Sequence, residues 1–280
     1  MTLRFTKMHG CGNDYIYIDC LGGEPDDPGE LARAMSPRHT SVGADGLVLI
    51  CRSDVADAKM RMFNLDGSEG AMCGNAIRCV GKYLYDNGIV SKTDISIETK
   101  SGIRRLTLGV MEGKVSEVTV DMGRASFRTA DIPVIYDGGE VVDAPVTVAG
   151  REWRITCASM GNPHAVIFVG AVETLDLSKI GQMFENHAMF PERVNTEFVH
   201  VHDRRTLEVR VWERGSGETF ACGTGACAAV AAAVRLGHCD AGVPITVRLP
   251  GGELTVTVAE DLGVMMTGGA VKVYDGIYEA

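Results

Sequence analysis

Nine cysteines are spread over the 280 residues, and two of them stand where a thiol can work as an acid or a base. Cys73 and Cys222 each precede a predicted helix, and each is followed by a glycine and a short polar residue, Gly74-Asn75 and Gly223-Thr224. A helix start exposes unpaired backbone N–H groups and the positive end of the helix dipole. That field lowers the pKa of a thiol placed on it, and the N–H groups can hold an anion such as a carboxylate. The glycine lets a ligand come close to the backbone. Inverting a carbon that bears hydrogen requires one proton to leave from one face and another to arrive on the opposite face. Two acid–base groups flanking the carbon can do this without any cofactor. For most of the other cysteines the plain reading is a small buried hydrophobe.

Self-comparison explains why there are two such cysteines. Gly12-Asn13 recurs as Gly161-Asn162, Cys73-Gly74 as Cys222-Gly223, Glu69 as Glu218 and Gly88 as Gly237, always 149 residues later. The chain reads as a tandem duplication. In the first half, strand-like runs at 3–7, 15–19, 46–51 and 59–64 precede a helix at 75–87, and runs at 94–99, 103–109 and 114–121 follow it. In the second, runs at 153–158, 165–169, 196–201 and 206–213 precede a helix at 224–236, with 245–249, 253–258 and 264–267 after it. Minor helices at 30–35 and 179–184 match at the same offset. The second major helix is apolar on every side through Ala226–Val234 and must be buried all round. Two folds satisfy this: a strongly curved sheet wrapped around the helix, and an ordinary two-layer sandwich. The domain expectation is a repeat over 1–121 and another over 122–269, with a C-terminal strand at 270–280 packing back on the first.

Composition narrows the partners. Hydrophobic residues at 45% and charged residues at 23% describe a folded globular chain. A net charge of −10 with scattered Lys and Arg argues against nucleic acid and anionic membranes. No apolar stretch reaches the roughly 18 residues of a membrane span, and the first twenty residues hold four charges, so a cytoplasmic location is expected. An odd cysteine count favours reduced thiols over a disulfide framework. There is no C-x-x-C pair, and His200 and His202 read as solvent-facing alternate residues of a strand, so no metal is expected.

The motifs Lys7-Met8-His9-Gly10-Cys11-Gly12-Asn13-Asp14-Tyr15, Asn64-Leu65-Asp66-Gly67-Ser68, Met72-Cys73-Gly74-Asn75-Ala76-Ile77-Arg78-Cys79, Gly161-Asn162-Pro163-His164, Arg193-Val194-Asn195, Glu213-Arg214-Gly215 and Ala221-Cys222-Gly223-Thr224-Gly225 resemble the diaminopimelate epimerase family, in family order. The closing Val273-Tyr274-Asp275-Gly276 is also typical. The resemblance implies an α+β fold of two pseudo-twofold repeats, each a strongly curved, mostly antiparallel sheet wrapped around a central helix, with the active site in the cleft between them. It implies a pyridoxal-independent isomerase interconverting LL- and meso-2,6-diaminopimelate, in lysine and peptidoglycan precursor synthesis, working as a homodimer with Tyr274 at the interface. By the same resemblance Cys73 and Cys222 are the thiolate and thiol. The amides of Gly74, Asn75, Gly223 and Thr224 hold the reacting α-carboxylate. Asn13, Asn64, Asn162, Asn195, Glu213 and Arg214 contact substrate, while His164 and Glu213 tune the cysteines.

Elementary chemistry agrees with these roles: an arginine fork grips a carboxylate and an amide both donates and accepts. Plainer readings stay open for each residue taken alone. Asn beside Gly is a turn former, a lone His a hydrogen-bonded core or surface residue, and Arg214 a solvated strand-end charge. Two positions depart from the family pattern. Cys11 stands where a small or aliphatic residue is usual, and Gly46 stands where some members carry a substrate-binding glutamine. Two other functions compete: a proline or hydroxyproline racemase of the same architecture, and a non-catalytic ligand-binding or thiol-redox protein.

Overall fold

The computed structural model describes residues 2–279. In chain order the first ten elements are β1 (Thr2–Gly10), β2 (Asn13–Cys20), α1 (Pro28–Met35), β3 (Gly46–Cys51), β4 (Ala58–Asn64), β5 (Glu69–Gly70), α2 (Gly74–Asp86), β6 (Asp94–Thr99), β7 (Gly102–Met111) and β8 (Lys114–Arg124). There follow a 3-10 turn (Thr129–Asp131), β9 (Ala144–Val148), β10 (Arg151–Ser159), β11 (Pro163–Phe168), α3 (Leu177–Glu185), β12 (Asn195–Asp203) and β13 (Thr206–Glu213). The chain closes with β14 (Gly217–Thr219), α4 (Gly223–Arg235), β15 (Ile245–Leu249), β16 (Gly252–Val258), β17 (Gly263–Gly269) and β18 (Val271–Glu279). Contacts divide it into two compact units, Met1–Asp121 with Thr267–Ala280, and Met122–Met266.

The duplication is visible in the elements themselves. Adding 149 to the bounds of β1 gives those of β10, and adding it to the bounds of α2 gives those of α4. Strand pairing repeats as well. In the first unit β1–β2 and β3–β4 are antiparallel while β2–β3 and β4–β6 are parallel. In the second, β10–β11 and β12–β13 are antiparallel while β11–β12 and β13–β15 are parallel. Each unit also adds one strand outside the repeat beside its first strand, β18 on β1 and β9 on β10. The ion pair Arg61–Glu69 recurs as Arg210–Glu218, at 2.8 Å in both.

The curved, wrapped sheet is the arrangement found. Helix α4 packs against β10, β11, β12, β13, β15 and β16, and every residue from Ala226 to Ala233 is fully buried. Helix α2 packs against β1, β2 and β7. The minor helices lie on other faces: α1 covers β3 and β4, and α3 covers β12, β13 and β14. Strand β3 is buried at all six positions, and so is the start of β12, Asn195–Val199, which has α3 and α4 both packed on it. An aromatic cluster of Trp153, Phe184 and Phe198, edge to face at 5.5–6.1 Å, pins α3 to the second unit.

Candidate active site

Cys73 and Cys222 are the N-cap residues of α2 and α4. Both have extended backbone (φ −133° and −112°), and both sulfurs accept a hydrogen bond from the N–H three residues on, Ala76 at 3.5 Å and Gly225 at 3.4 Å. A thiolate or thiol thus takes the place that a serine or aspartate oxygen usually fills at a cap. Gly225 has to be glycine, since a Cβ there would lie 2.6 Å from Glu197 Oε1 and 3.3 Å from Cys222 Sγ.

Around Cys73 the first unit collects neutral groups. Cys73 Sγ donates to Asn13 Oδ1 at 3.4 Å, and Asn75 Nδ2 approaches the same oxygen at 3.3 Å. The Asn13 amide is oriented from behind, because its Nδ2 donates to Asp45 Oδ2 at 2.8 Å and Arg38 bridges Asp45 and Asp14 at 2.7 and 2.6 Å. Asn75 is held by the fully buried Arg78, whose Nη2 donates to Asn75 Oδ1 at 3.0 Å and whose Nη1 donates to Gly74 O at 3.0 Å. The Tyr15 hydroxyl hydrogen-bonds with Asn13 and Cys73, and burial, followed by the charge of Cys73, pushes its pKa well up. Asn64 makes a local bond instead, Nδ2 to Ser68 Oγ at 3.0 Å, in the turn after β4.

Around Cys222 the second unit collects charge. Glu213 hydrogen-bonds to Cys222 and to Thr219 Oγ1. Thr224 Oγ1 lies 3.5 Å from Cys222 Sγ and accepts from Asn162 Nδ2 at 3.2 Å. Asn162 Oδ1 lies 3.0 Å from His164 Nε2, and His164 Nδ1 lies 2.7 Å from Glu197 Oε1. Asn195 sits beside His164 in the β11–β12 register, donates to Pro163 O at 3.0 Å and accepts from the Arg214 backbone N–H at 2.9 Å. The Arg214 guanidinium is braced by the Glu192 carbonyl at 2.9 Å.

These surroundings correct one expectation. The helix start alone predicts a lowered thiol pKa, but at Cys222 burial pushes the pKa well up, with the Glu213 and Glu197 carboxylates adding to it. Desolvation and two nearby negative charges outweigh the helix end. Burial also raises the Glu213 carboxyl, against its hydrogen bonds from Thr219 and Cys222.

Several of these residues are missing from the sequence reading: Tyr15, Asp45, Arg38 and Arg78 in the first unit, Glu197 and Thr219 in the second. The 149 offset carried a usable signal for one, since 15 + 149 is 164 and Tyr15 occupies the repeat position of His164. Glu197 and Arg78 are charges at fully buried positions of β12 and α2. Gly46 has a steric explanation: a Cβ there would lie 2.2 Å from the Phe63 carbonyl oxygen and 3.0 Å from the Tyr15 ring. Among the described residues no group of three or more His, Cys, Asp or Glu is placed to hold a metal, and no helix is long and apolar enough to cross a membrane.

Comparison with known proteins gives these clusters a context. Residues 5–128 and 156–273 match the family described as diaminopimelate epimerase. Proteins named diaminopimelate epimerase from Acetivibrio thermocellus and Desulfovibrio desulfuricans are each 52% identical to the chain, over 275 and 285 residues. The alignments cover 98% of both proteins in the first case and 99% of both in the second. Among solved structures, a probable proline racemase from Agrobacterium radiobacter K84 superposes with TM-score 0.73 at 18% identity, covering 99% of this chain and 92% of that one. A phenazine biosynthesis protein of the PhzF family from Bacillus anthracis gives 0.72 at 19%, covering all of both chains. At that identity they share the fold. Both repeats match the family description and half of all residues are shared with its members across the full length, so the chain belongs to the diaminopimelate epimerase family.

Proposed function

We propose that the protein interconverts LL- and meso-2,6-diaminopimelate by direct proton transfer between two cysteine side chains and the substrate Cα, a step of lysine and peptidoglycan precursor synthesis. The observation that carries this reading is the pair of sulfurs at repeat-equivalent N-caps, in a chain half identical to named diaminopimelate epimerases along its whole length. One cysteine removes the α-proton as thiolate while the other, as thiol, returns a proton to the opposite face; each isomer loses its proton to a different residue. Burial and the charges of Glu213 and Glu197 favour the protonated form of Cys222, so Cys222 enters as the proton donor and Cys73 as the base when the substrate isomer presents its hydrogen to Cys73.

The first-turn amides of Gly74, Asn75, Gly223 and Thr224 take the reacting α-carboxylate, where helix ends favour an anion. Arg214 takes the distal carboxylate with its planar fork, and Asn13, Asn64, Asn162, Asn195 and Glu213 complete recognition of the two amino-acid centres. His164 and Glu213 tune Cys222. In this reading the catalytic halves are 1–121 with 270–280, and 122–269. The test is incubation in heavy water with LL-diaminopimelate and, separately, L-proline. Deuterium is expected at Cα of the first alone, and its appearance in proline alone would move the protein to the racemase reading.

We further infer a cytoplasmic homodimer joined through β18, which exposes Val271, Val273, Tyr274 and Ile277 in a nine-residue strand. Sedimentation of the wild type as a dimer, and of Tyr274→Glu as a monomer, is the expected pattern; a wild-type monomer contradicts it.

A further inference from the structure

Within the buried start of β12 one residue carries a formal charge. Glu197 has no exposed surface, and neither has its partner His164. The two are joined at 2.7 Å, Oε1 to Nδ1, while Glu197 Oε2 is buried without a hydrogen-bond partner. A carboxylate withdrawn from water with one bond is costly to keep. The fold does not demand it: the same repeat position in the first unit, 197 − 149 = 48, is the fully buried Val48 of β3. The charge has a use on the other side of the histidine. From Nε2 the contacts run 3.0 Å to Asn162 Oδ1, 3.2 Å from Asn162 Nδ2 to Thr224 Oγ1, and 3.5 Å on to Cys222 Sγ.

We propose that Glu197 is a positioning residue for epimerisation: it holds the proton of His164 on Nδ1 and, through His164, decides which end of the Asn162 amide is turned toward Thr224 and Cys222. This rests on the assignment of Cys222 as a proton-transfer residue. A carboxylate only accepts, so the ring nitrogen facing it has to carry hydrogen. Asn162 Oδ1, which faces Nε2, only accepts as well, so Nε2 too has to carry hydrogen. Glu197 is the counter-ion that keeps both ring protons in place, and with them the amide orientation that turns Asn162 Nδ2 toward Thr224. Without Glu197 the imidazole loses one of them and is free to carry the other on either nitrogen. The amide can then rotate by half a turn with no change of shape, exchanging donor for acceptor beside Thr224.

Glu197→Gln tests this, because glutamine keeps the volume but offers both a donor and an acceptor. The ring nitrogens of His164 are read by nitrogen–proton correlation spectroscopy, with His164→Asn identifying its signals. The expected result is hydrogen on both ring nitrogens in the wild type, and in E197Q the loss of one of them with a mixture of tautomers. Turnover should fall about 10- to 100-fold, more in kcat than in KM, as when the orienting partner of a functional histidine is removed. In the H164N background, E197Q should cost less than twofold, since a residue acting through His164 has nothing left to act on. Unchanged His164 signals, or an equal fold-loss in both backgrounds, would overturn the proposal. If E197Q does not fold, Glu197→Asp, shorter by one methylene, is read by the same spectra and the same cycle. A wild type that incorporates no deuterium from LL-diaminopimelate would instead remove the functional reading, while the spectra still report on the Glu197–His164 pair.

Discussion

Glu213→Gln removes a negative charge hydrogen-bonded to the Cys222 thiol while keeping the shape and the bond from Thr219. Two unit charges about 4 Å apart interact by about 4 kcal/mol at an effective dielectric of about 20. Glu213→Gln therefore lowers the Cys222 pKa, and at about 1.4 kcal/mol per factor of ten it favours the thiolate by at most about 1,000-fold. Burial, the larger cause, and Glu197 both remain in the variant. The thiolate fraction at a pH below the thiol's own value is thus expected to rise by about 10- to 1,000-fold. The less basic thiolate is intrinsically a weaker nucleophile, with a Brønsted coefficient near 0.5, and this cancels about half of the logarithmic gain. Alkylation of Cys222 by iodoacetamide should therefore quicken by about 3- to 30-fold between pH 7 and 9, followed by peptide mass spectrometry with Cys73 as the internal comparison. With Cys222 as the proposed proton donor, epimerisation should also slow, because the donor is then partly spent before substrate arrives. A Cys222 alkylation rate identical to wild type across that pH range would refute the electrostatic account of this cysteine.

Three further outcomes follow from other parts of the molecule. Arg214→Lys keeps the charge but loses the fork, and should lower kcat/KM for diaminopimelate by about 2 kcal/mol or more, roughly 30-fold; a change under twofold removes Arg214 from carboxylate recognition. Gly46→Ala forces a Cβ to within 2.2 Å of the Phe63 carbonyl oxygen, which should destabilise the fold by about 1–3 kcal/mol in urea denaturation, and an unchanged midpoint would contradict the packing at Tyr15. Stability should also fall on the alkaline side. Burial raises the Cys79 thiol to about 11 and the Cys157 thiol to about 12, from 9.0. Above pH 9 the unfolded chain has released these protons and the folded chain still holds them, so each thiol's contribution, complete below pH 9, is lost at about 1.4 kcal/mol per pH unit. From pH 8 to 10 the pair should cost about 3 kcal/mol, and a flat melting temperature over that range would be inconsistent with their burial.

How far the sequence carries depends on the range of the forces involved. Helices α2 and α4 are legible because local features agree: a capping residue, a glycine-flanked start and an apolar pattern that a helix alone can bury. The repeat offset then transfers boundaries from one half to the other, which is why β1 and β10 share bounds. Strand β9, Ala144–Val148, escapes because its five residues lie in a stretch rich in turn formers, and only pairing with β10 makes it a strand. The two- and three-residue strands β5 and β14 are likewise products of pairing with β4 and β13. At the site, a helix N-terminus can be read from Cys-Gly-Thr-Gly. The burial of Cys222 and the approach of Glu197, 25 residues earlier, belong to tertiary packing, and they reverse the direction of its pKa shift. Asp45 and Arg38 orient Asn13 from a separate segment, so no spacing rule announces them.

If two cysteines act as separate bases on one carbon, single replacements that leave the other thiol intact will separate their roles. Cys73→Ser and Cys222→Ser should both nearly abolish epimerisation, since a serine hydroxyl is a far weaker base than a thiolate. Each should retain proton abstraction from one side, measurable with halogenated diaminopimelate analogues that eliminate hydrogen halide without reprotonation. The two variants should show opposite stereoisomer preferences. Elimination from the same isomer by both, or epimerisation by either at close to the wild-type rate, would contradict the two-base reading.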